Sequence, residues 1–147
     1  TQKLSELALK TVDIKGVAFY SLGGYRKNLS DEQMKKYLNL FEKYFLKSFT
    51  SRLTDYSDPK IDVVSADVLS DKYTIVKSLL LATEKKPEVK IEWRVYTKDP
   101  NKPLIRDLII EGLSLARTQK EEFASVIESN NGDVSALFQT LKKFVAK

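Results

Sequence analysis

The stretch D-L-I-I-E-G-L-S, at residues 107–114, ends an apolar strand and turns the chain toward its C-terminal helices. Side chains alternate along a strand, so Leu108 and Ile110 are expected on one face and Ile109 and Glu111 on the other. Gly112 permits a sharp turn that a residue with a Cβ atom resists. The stretch therefore predicts that a sheet ends here and that helices follow.

The strand just upstream, Val89–Tyr96, alternates more regularly. Val89, Ile91, Trp93 and Val95 fall on one face, and charged residues alternate with them. Short turns between adjacent apolar runs favour an antiparallel meander. The sequence predicts four strands, at residues 60–69, 73–83, 89–98 and 104–111. Placing Lys77 outward puts Val76, Ser78 and Leu80 on the inner face, so the sheet has one apolar face that must be covered.

Helices are expected before and after these strands in the chain, and the long helix at residues 30–56 is expected to pack across the apolar face of the sheet. The first is expected at residues 1–12, the second runs from its cap Asp13 to about residue 25, and the longest covers residues 30–56. Ser30 and Gln33 form a capping box at the start of the long helix, whose apolar stripe is rich in aromatic residues. The Thr118–Glu121 box predicts a helix to about residue 129, and Asp133 caps the last helix. Aromatic residues at helical spacing are ordinarily core, but they also suit the lining of a site for an apolar ligand.

Composition narrows the possible functions. The 147 residues fit a single domain, with 42% hydrophobic and 31% charged residues and a net charge of +5. There is no Cys and no His. Thiol nucleophiles, Cys or His zinc sites and histidine general bases are therefore excluded. The positive charge favours anionic partners such as phospholipid headgroups, although a mildly basic soluble protein has the same balance.

Motifs for catalysis or nucleic-acid binding are not found. The Asp55–Asp58 cluster lacks the spacing of a calcium loop, so no metal site is expected. No Gly-rich loop follows a strand, and basic residues are scattered among acidic ones without the stripe expected of an RNA binder. No nucleic-acid partner is therefore expected.

A set of motifs in consistent order resembles a known family. Val12-Asp13-Ile14 with Leu22-Gly23-Gly24-Tyr25-Arg26 is similar to the "VD…LGRYWR" segment of the MlaC family, and Ser30–Gln33 is similar to its "S-x-E-Q" helix start. Residues 41–57 follow its "F-x-x-Y-L…R-L-x-x-Y-S" pattern. Trp93-Arg94-Val95, residues 107–114 and Phe123 then follow in order, and the resemblance covers residues 12 to 144. Two residues depart from the pattern: Gly24 replaces the usual Arg, and Arg26 replaces the Trp.

The resemblance implies an α+β fold, in which helices cover one face of a twisted four-stranded antiparallel sheet in a cystatin/NTF2-like arrangement, with a C-terminal helical pair. It also implies a periplasmic carrier, not an enzyme, that shuttles glycerophospholipid between an inner-membrane ABC transporter complex and an outer-membrane lipoprotein complex. Phospholipid would be its cargo, without a cofactor, and the chain is expected to be a monomer. Family members usually carry a signal peptide and a further N-terminal helical segment. Neither is recognised here, so a trimmed chain with an incomplete pocket wall is expected.

The residues expected to line a lipid cavity lie on the predicted inner sheet face and on the apolar stripes of the helices. They are Val17, Tyr20, Phe41, Tyr44, Phe45, Phe49, Val76, Leu80, Trp93, Val95, Leu108, Ile110 and Leu113. Each could equally belong to an ordinary core. Two other functions stay open: an NTF2-like isomerase or dehydratase that uses a buried carboxylate, and a protein-interaction module without a cavity.

Overall fold

The computed structural model describes residues 2–53 and 60–147 as five helices, one short 3-10 helix and a five-stranded sheet. The α-helices are α1 (Gln2–Thr11), α2 (Ile14–Leu22), α3 (Asp31–Leu53), α4 (Leu115–Glu128) and α5 (Val134–Ala146), and the 3-10 helix covers Gly23–Asn28. The strands are β1 (Ile61–Val68), β2 (Tyr73–Leu80), β3 (Val89–Tyr96), β4 (Leu104–Ile110) and β5 (Leu113–Ser114). In this part of the chain, no helix is both long and apolar enough to cross a membrane. The predicted α+β class is confirmed.

The sheet is an antiparallel meander with its strands in sequence order, β1 to β5. Four strands were predicted, and the difference is β5, a two-residue strand. Glu111 (φ 50°) and Gly112 (φ 83°) form the turn that pairs Ile110 with Leu113. A two-residue hairpin turn with two positive φ angles matches the twist of its strands. The turn predicted at Gly112 is therefore present, but the chain forms one more short strand before it enters α4.

Capping residues determine where the helices begin. The backbone N–H of Gln33 donates to Ser30 Oγ at 3.2 Å, and that of Ser30 donates to Gln33 Oε1 at 2.9 Å, so the predicted capping box is formed. Asp133 caps α5 as predicted. The predicted box at Thr118 is wrong, because Ser114 caps α4 by accepting from Arg117 N. Thr118 instead lies inside the helix and donates to the carbonyl of Ser114 at 2.9 Å.

The main core lies among helices. Its fully buried members come from α2, α3, α4 and α5 and include Tyr37, Phe41, Ile127, Leu137 and Leu141. α3 packs against α1, α2 and α5, whereas α1, α2 and α4 approach the sheet at β4. The long helix was expected to bury its stripe on the sheet. That expectation is wrong for Tyr37 and Phe41, because neighbouring helices offer them a closed apolar environment. The part of the prediction that concerns residues 54–59, including the Asp55–Asp58 cluster, lies outside the described residues.

Candidate functional site: an apolar groove on the sheet

The sheet has one apolar face, which we call the groove face. Residues directly opposite each other on paired strands share a face, and Val76, Trp93 and Leu108 are paired in this way. Ser78, Ile91 and Ile110 form the next row of the same face. Leu108 and Ile110 therefore share a face, as the alternation in residues 107–114 predicted. Lys77 and Glu92 pair on the opposite face.

An open cavity of about 270 Å³ lies on the groove face. Its lining is almost wholly apolar and comes from four strands: Ile61, Val63, Val76, Trp93, Val95 and Ile105. Trp93, Val76, Val95 and Ile105 are half-buried, whereas Ile61 and Val63 on the edge strand β1 are 47% and 63% exposed. Apolar side chains left accessible beside one another in this way mark a binding surface. The arrangement can bind an apolar chain.

A bulge in β4 determines which residues reach the groove. Val95 is opposite Ile105, but Arg94 is opposite Asp107, so Arg106 is the extra residue. A bulge reverses the alternation beyond it. Counting by twos from Leu108 would place Arg106 on the groove face. The bulge places Ile105 there, and the Arg106 guanidinium lies 4.0 Å from the ring centroid of Tyr96 on the opposite face.

The thirteen residues predicted to line a lipid cavity fall into three groups. Val76, Trp93 and Val95 line the groove, and Leu80, Leu108, Ile110 and Leu113 lie on the same face outside its lining. Val17, Phe41, Tyr44 and Phe45 belong to the helical core or pack against it, and Phe49 stacks on Phe45 at 5.8 Å between ring centroids. Tyr20 lies on the surface, 46% exposed, with Lys120 Nζ 5.1 Å from its ring centroid. Contact of any of them with lipid stays a prediction.

Three groove residues were not singled out from the sequence. Ile61 and Val63 alternate within the first predicted strand, and this signal could have identified them. Ile105 could not be found by alternation, because the bulge at Arg106 interrupts it. The indole of Trp93 is fixed by a contact that no sequence pattern reveals, a 2.8 Å hydrogen bond from Nε1 to Ser78 Oγ.

A second depression, of about 320 Å³, lies on the other face of the sheet. Charged residues, Lys90, Glu92 and Glu111, line it together with Ile109 and Gly112. Glu111 Oε1 accepts a hydrogen bond from the backbone N–H of Lys90 at 2.7 Å, which joins the turn between β4 and β5 to β3. This depression is therefore lined mainly by charged residues next to the β4–β5 turn. None of the residues predicted to line a lipid cavity borders it.

Two carboxylates beside the sheet, those of Asp107 and Asp13, are engaged in structural hydrogen bonds. Asp107 accepts from Ser114 Oγ and, at 3.0 Å, from the backbone N–H of Ala116, which fixes the start of α4. Asp13 caps α2 and binds Arg106. Among the described side chains, the buried polar ones are Ser21 and Ser78. Among the residues that the structure describes, the groove lining contains no carboxylate of the kind that an isomerase on this fold would use for proton transfer.

Fold and groove together define the class: an α+β protein in which an open apolar groove crosses an antiparallel sheet beside a helical core. A family model for the MlaC protein matches residues 1–143. The chain therefore belongs to the MlaC family, as the order of its motifs indicated. It is also similar to the solved structure of a phospholipid-binding protein from Ralstonia solanacearum in complex with a phospholipid. The two share 25% sequence identity at a TM-score of 0.80, over 99% of this chain and 82% of that chain.

Proposed function

We propose that this protein is a periplasmic phospholipid carrier that binds the acyl chains of a glycerophospholipid in the groove of its sheet. The observation that carries the proposal is the continuous apolar lining from Ile105 on β4 to Ile61 on β1. Membership of the MlaC family and the likeness to a phospholipid-bound relative support it. Phospholipid is then cargo, and no cofactor takes part.

The free energy of transferring acyl chains out of water determines how much apolar surface the groove must supply. Each methylene kept from water contributes about 0.8 kcal/mol, so two sixteen-carbon chains represent roughly 20–25 kcal/mol. A cavity of about 270 Å³ is small for such a cargo, because pockets for drug-sized ligands occupy about 300–1,000 Å³. The groove is open along β1, where Ile61 and Val63 are exposed. We infer that bound chains extend over this edge, beyond the groove itself.

The cycle we propose places the carrier between two membranes. It exchanges lipid with an inner-membrane ABC transporter complex and an outer-membrane lipoprotein complex, and it acts as a monomer. The family resemblance supports these partners and the periplasmic location. The net charge of +5 suits anionic headgroups, which stay at the surface while the chains are buried.

Carriage is favoured over the two other functions that the sequence left open. An isomerase or dehydratase needs a carboxylate beside its substrate, but the described lining of the groove has none, and Asp13 and Asp107 are engaged in hydrogen bonds at the starts of α2 and α4. A protein-interaction module needs no groove, whereas this sheet has one with an apolar lining.

The test is direct identification of the cargo. The protein is purified without detergent, examined by native mass spectrometry, and extracted with organic solvent. We expect a bound mass in the phospholipid range and glycerophospholipid in the extract. Protein that is free of lipid and takes up none from labelled vesicles would contradict carriage.

A further inference from the structure

The groove face contains one buried hydroxyl group, that of Ser78. Ser78 is 3% exposed, and its Oγ donates a hydrogen bond to the carbonyl oxygen of Ile91 at 2.8 Å. The same Oγ accepts a hydrogen bond from Trp93 Nε1, also at 2.8 Å. A hydroxyl can donate once and accept. Ser78 uses both capacities to link the indole to the backbone of β3.

This contact determines where the indole lies. Trp93 is directly opposite Val76, so Ser78 is its diagonal neighbour on β2. Side chains on a strand ordinarily stand roughly perpendicular to the sheet. To reach Ser78, the indole must lean across β2. There it covers the hydroxyl, in place of projecting into the space above the sheet.

The groove offers the indole N–H no equivalent partner. The other five lining residues are Ile61, Val63, Val76, Val95 and Ile105, and none of their side chains can accept a hydrogen bond. An unpaired donor in apolar surroundings is disfavoured. Without the hydroxyl at position 78, the indole would turn its N–H toward water and away from the sheet.

We infer that Ser78 is a positioning residue for lipid binding, because it holds the Trp93 indole against the sheet and keeps the groove open for an acyl chain. The inference rests on the proposed function. Ser78 itself does not line the groove, so it acts through Trp93. Because the Trp93 side chain is already in the position it has beside bound lipid, no free energy is needed to order it on binding, and the lipid binds more strongly.

The test combines lipid uptake with the fluorescence of the single tryptophan. The probe is acyl-labelled phosphatidylglycerol in dioleoyl-phosphatidylglycerol vesicles. Ser78→Ala should weaken uptake about tenfold, because a tenfold change corresponds to about 1.4 kcal/mol, which is within the usual cost of removing the partner of a buried hydrogen-bond donor. It should also shift the Trp93 emission to longer wavelength. Ser78→Thr, which keeps the hydroxyl, should restore both properties. Ser65→Ala, on the neighbouring strand and paired with Lys77 on the other face, is the matched control and should behave as the unmodified protein.

A double-mutant cycle separates positioning from a general packing effect. Phe has no N–H, so in a Trp93→Phe background the Ser78→Ala change should alter uptake by less than about twofold. A tenfold effect in that background would overturn the inference. If Ser78→Ala melts early, Ser78→Cys replaces it, because the thiol is a similar size and a weaker hydrogen-bonding group. An affinity for Ser78→Cys equal to that of the unmodified protein would then overturn it.

Failure of the inference and failure of the proposed function give different results. If the unmodified protein takes up no phosphatidylglycerol and yields no lipid on extraction, the proposed function fails. If it takes up lipid and Ser78→Ala does so equally well, carriage stands and the positioning role of Ser78 is wrong.

Discussion

The side chains of Asp13 and Arg106 form an ion pair, with 2.8 Å between Oδ2 and Nε, that joins the start of α2 to β4. Asp13 also caps α2 by accepting from the backbone N–H of Gly16 at 3.0 Å. Arg106 donates a second bond from Nη1 to Tyr73 Oη at 2.6 Å. Burial opposes the charge of Arg106, but the contacts with Tyr73 and Asp13 outweigh it and raise the pKa of the guanidinium. One carboxylate therefore fixes a helix start and its attachment to the sheet.

Removing this carboxylate is expected to destabilise the fold. Asp13→Ala loses a helix cap and leaves Arg106 with Tyr73 but without its carboxylate partner, so the free energy of unfolding should fall by about 2 kcal/mol. Urea unfolding followed by circular dichroism measures the change. The control is Glu121→Ala, which removes an exposed ion pair with Arg117 and should cost less than about 0.5 kcal/mol. Equal losses in the two variants would show that Asp13 has no special role.

The turn at the end of β4 offers a test of backbone strain. Gly112 has φ +83° and no atom within 4 Å of where a Cβ would lie, so Gly112→Ala strains only the backbone. We expect a loss of about 1–2 kcal/mol. Gly24 has equally open surroundings without a positive φ, so Gly24→Ala is the matched control and should raise stability, by about 0.4–1 kcal/mol. Similar melting temperatures for the two variants would contradict this account of the turn.

Local sequence patterns predicted most helices and strands well, because strand alternation and helix capping each depend on residues that are close together in the chain. Val89–Tyr96 alternates strictly and forms β3 over those same residues. The Ser30–Gln33 box is read directly from four residues and is formed in the structure. The Thr118 box failed although its residues are correct. Ser114, four residues before Thr118, is held in place by its hydrogen bond to Asp107 and caps α4. The helix therefore begins before Thr118.

Long-range relationships could not be predicted in this way. The Asp13–Arg106 pair spans 93 residues, and it depends on a bulge that the sequence does not mark. The aromatic stripe of α3 indicated that this face of the helix is buried, but it did not indicate which elements pack against it. The structure places Tyr37 and Phe41 among helices, while Val76, Trp93 and Val95 line the groove as the alternation of their strands suggested.

Tyr37 predicts how stability depends on alkaline pH. Its side chain is completely buried and donates to the carbonyl of Ala18 at 2.7 Å. Burial, with the charge of Tyr44 adding to it, raises the pKa of the Tyr37 hydroxyl, so the folded state favours the protonated form. This stability is fully present below about pH 10 and declines above it, by up to about 1.4 kcal/mol per pH unit.

Tyr37→Phe should remove that decline and cost about 1 kcal/mol at neutral pH through the lost hydrogen bond. Urea unfolding between pH 8 and 11 measures the slope. Leu137→Val, also at a fully buried position, is the control. It should lower stability equally at every pH and keep the slope. An unchanged slope in Tyr37→Phe would show that another group causes the alkaline loss.

The last prediction separates groove from core by placing the same charge in each. Val95 is half-buried in the groove, where a carboxylate can reach water, so Val95→Glu should stay folded and lose lipid uptake because acyl chains cannot solvate the charge. Leu141 is 1% exposed among helices, and Leu141→Glu should lose several kcal/mol and melt early or aggregate. Leu69→Glu, 61% exposed beyond β1, should keep both folding and uptake. Melting curves and lipid transfer from labelled vesicles are measured for all three variants.

A folded Val95→Glu variant with normal uptake would mean that the acyl chains bind elsewhere, and an unfolded one would mean that this part of the sheet is core.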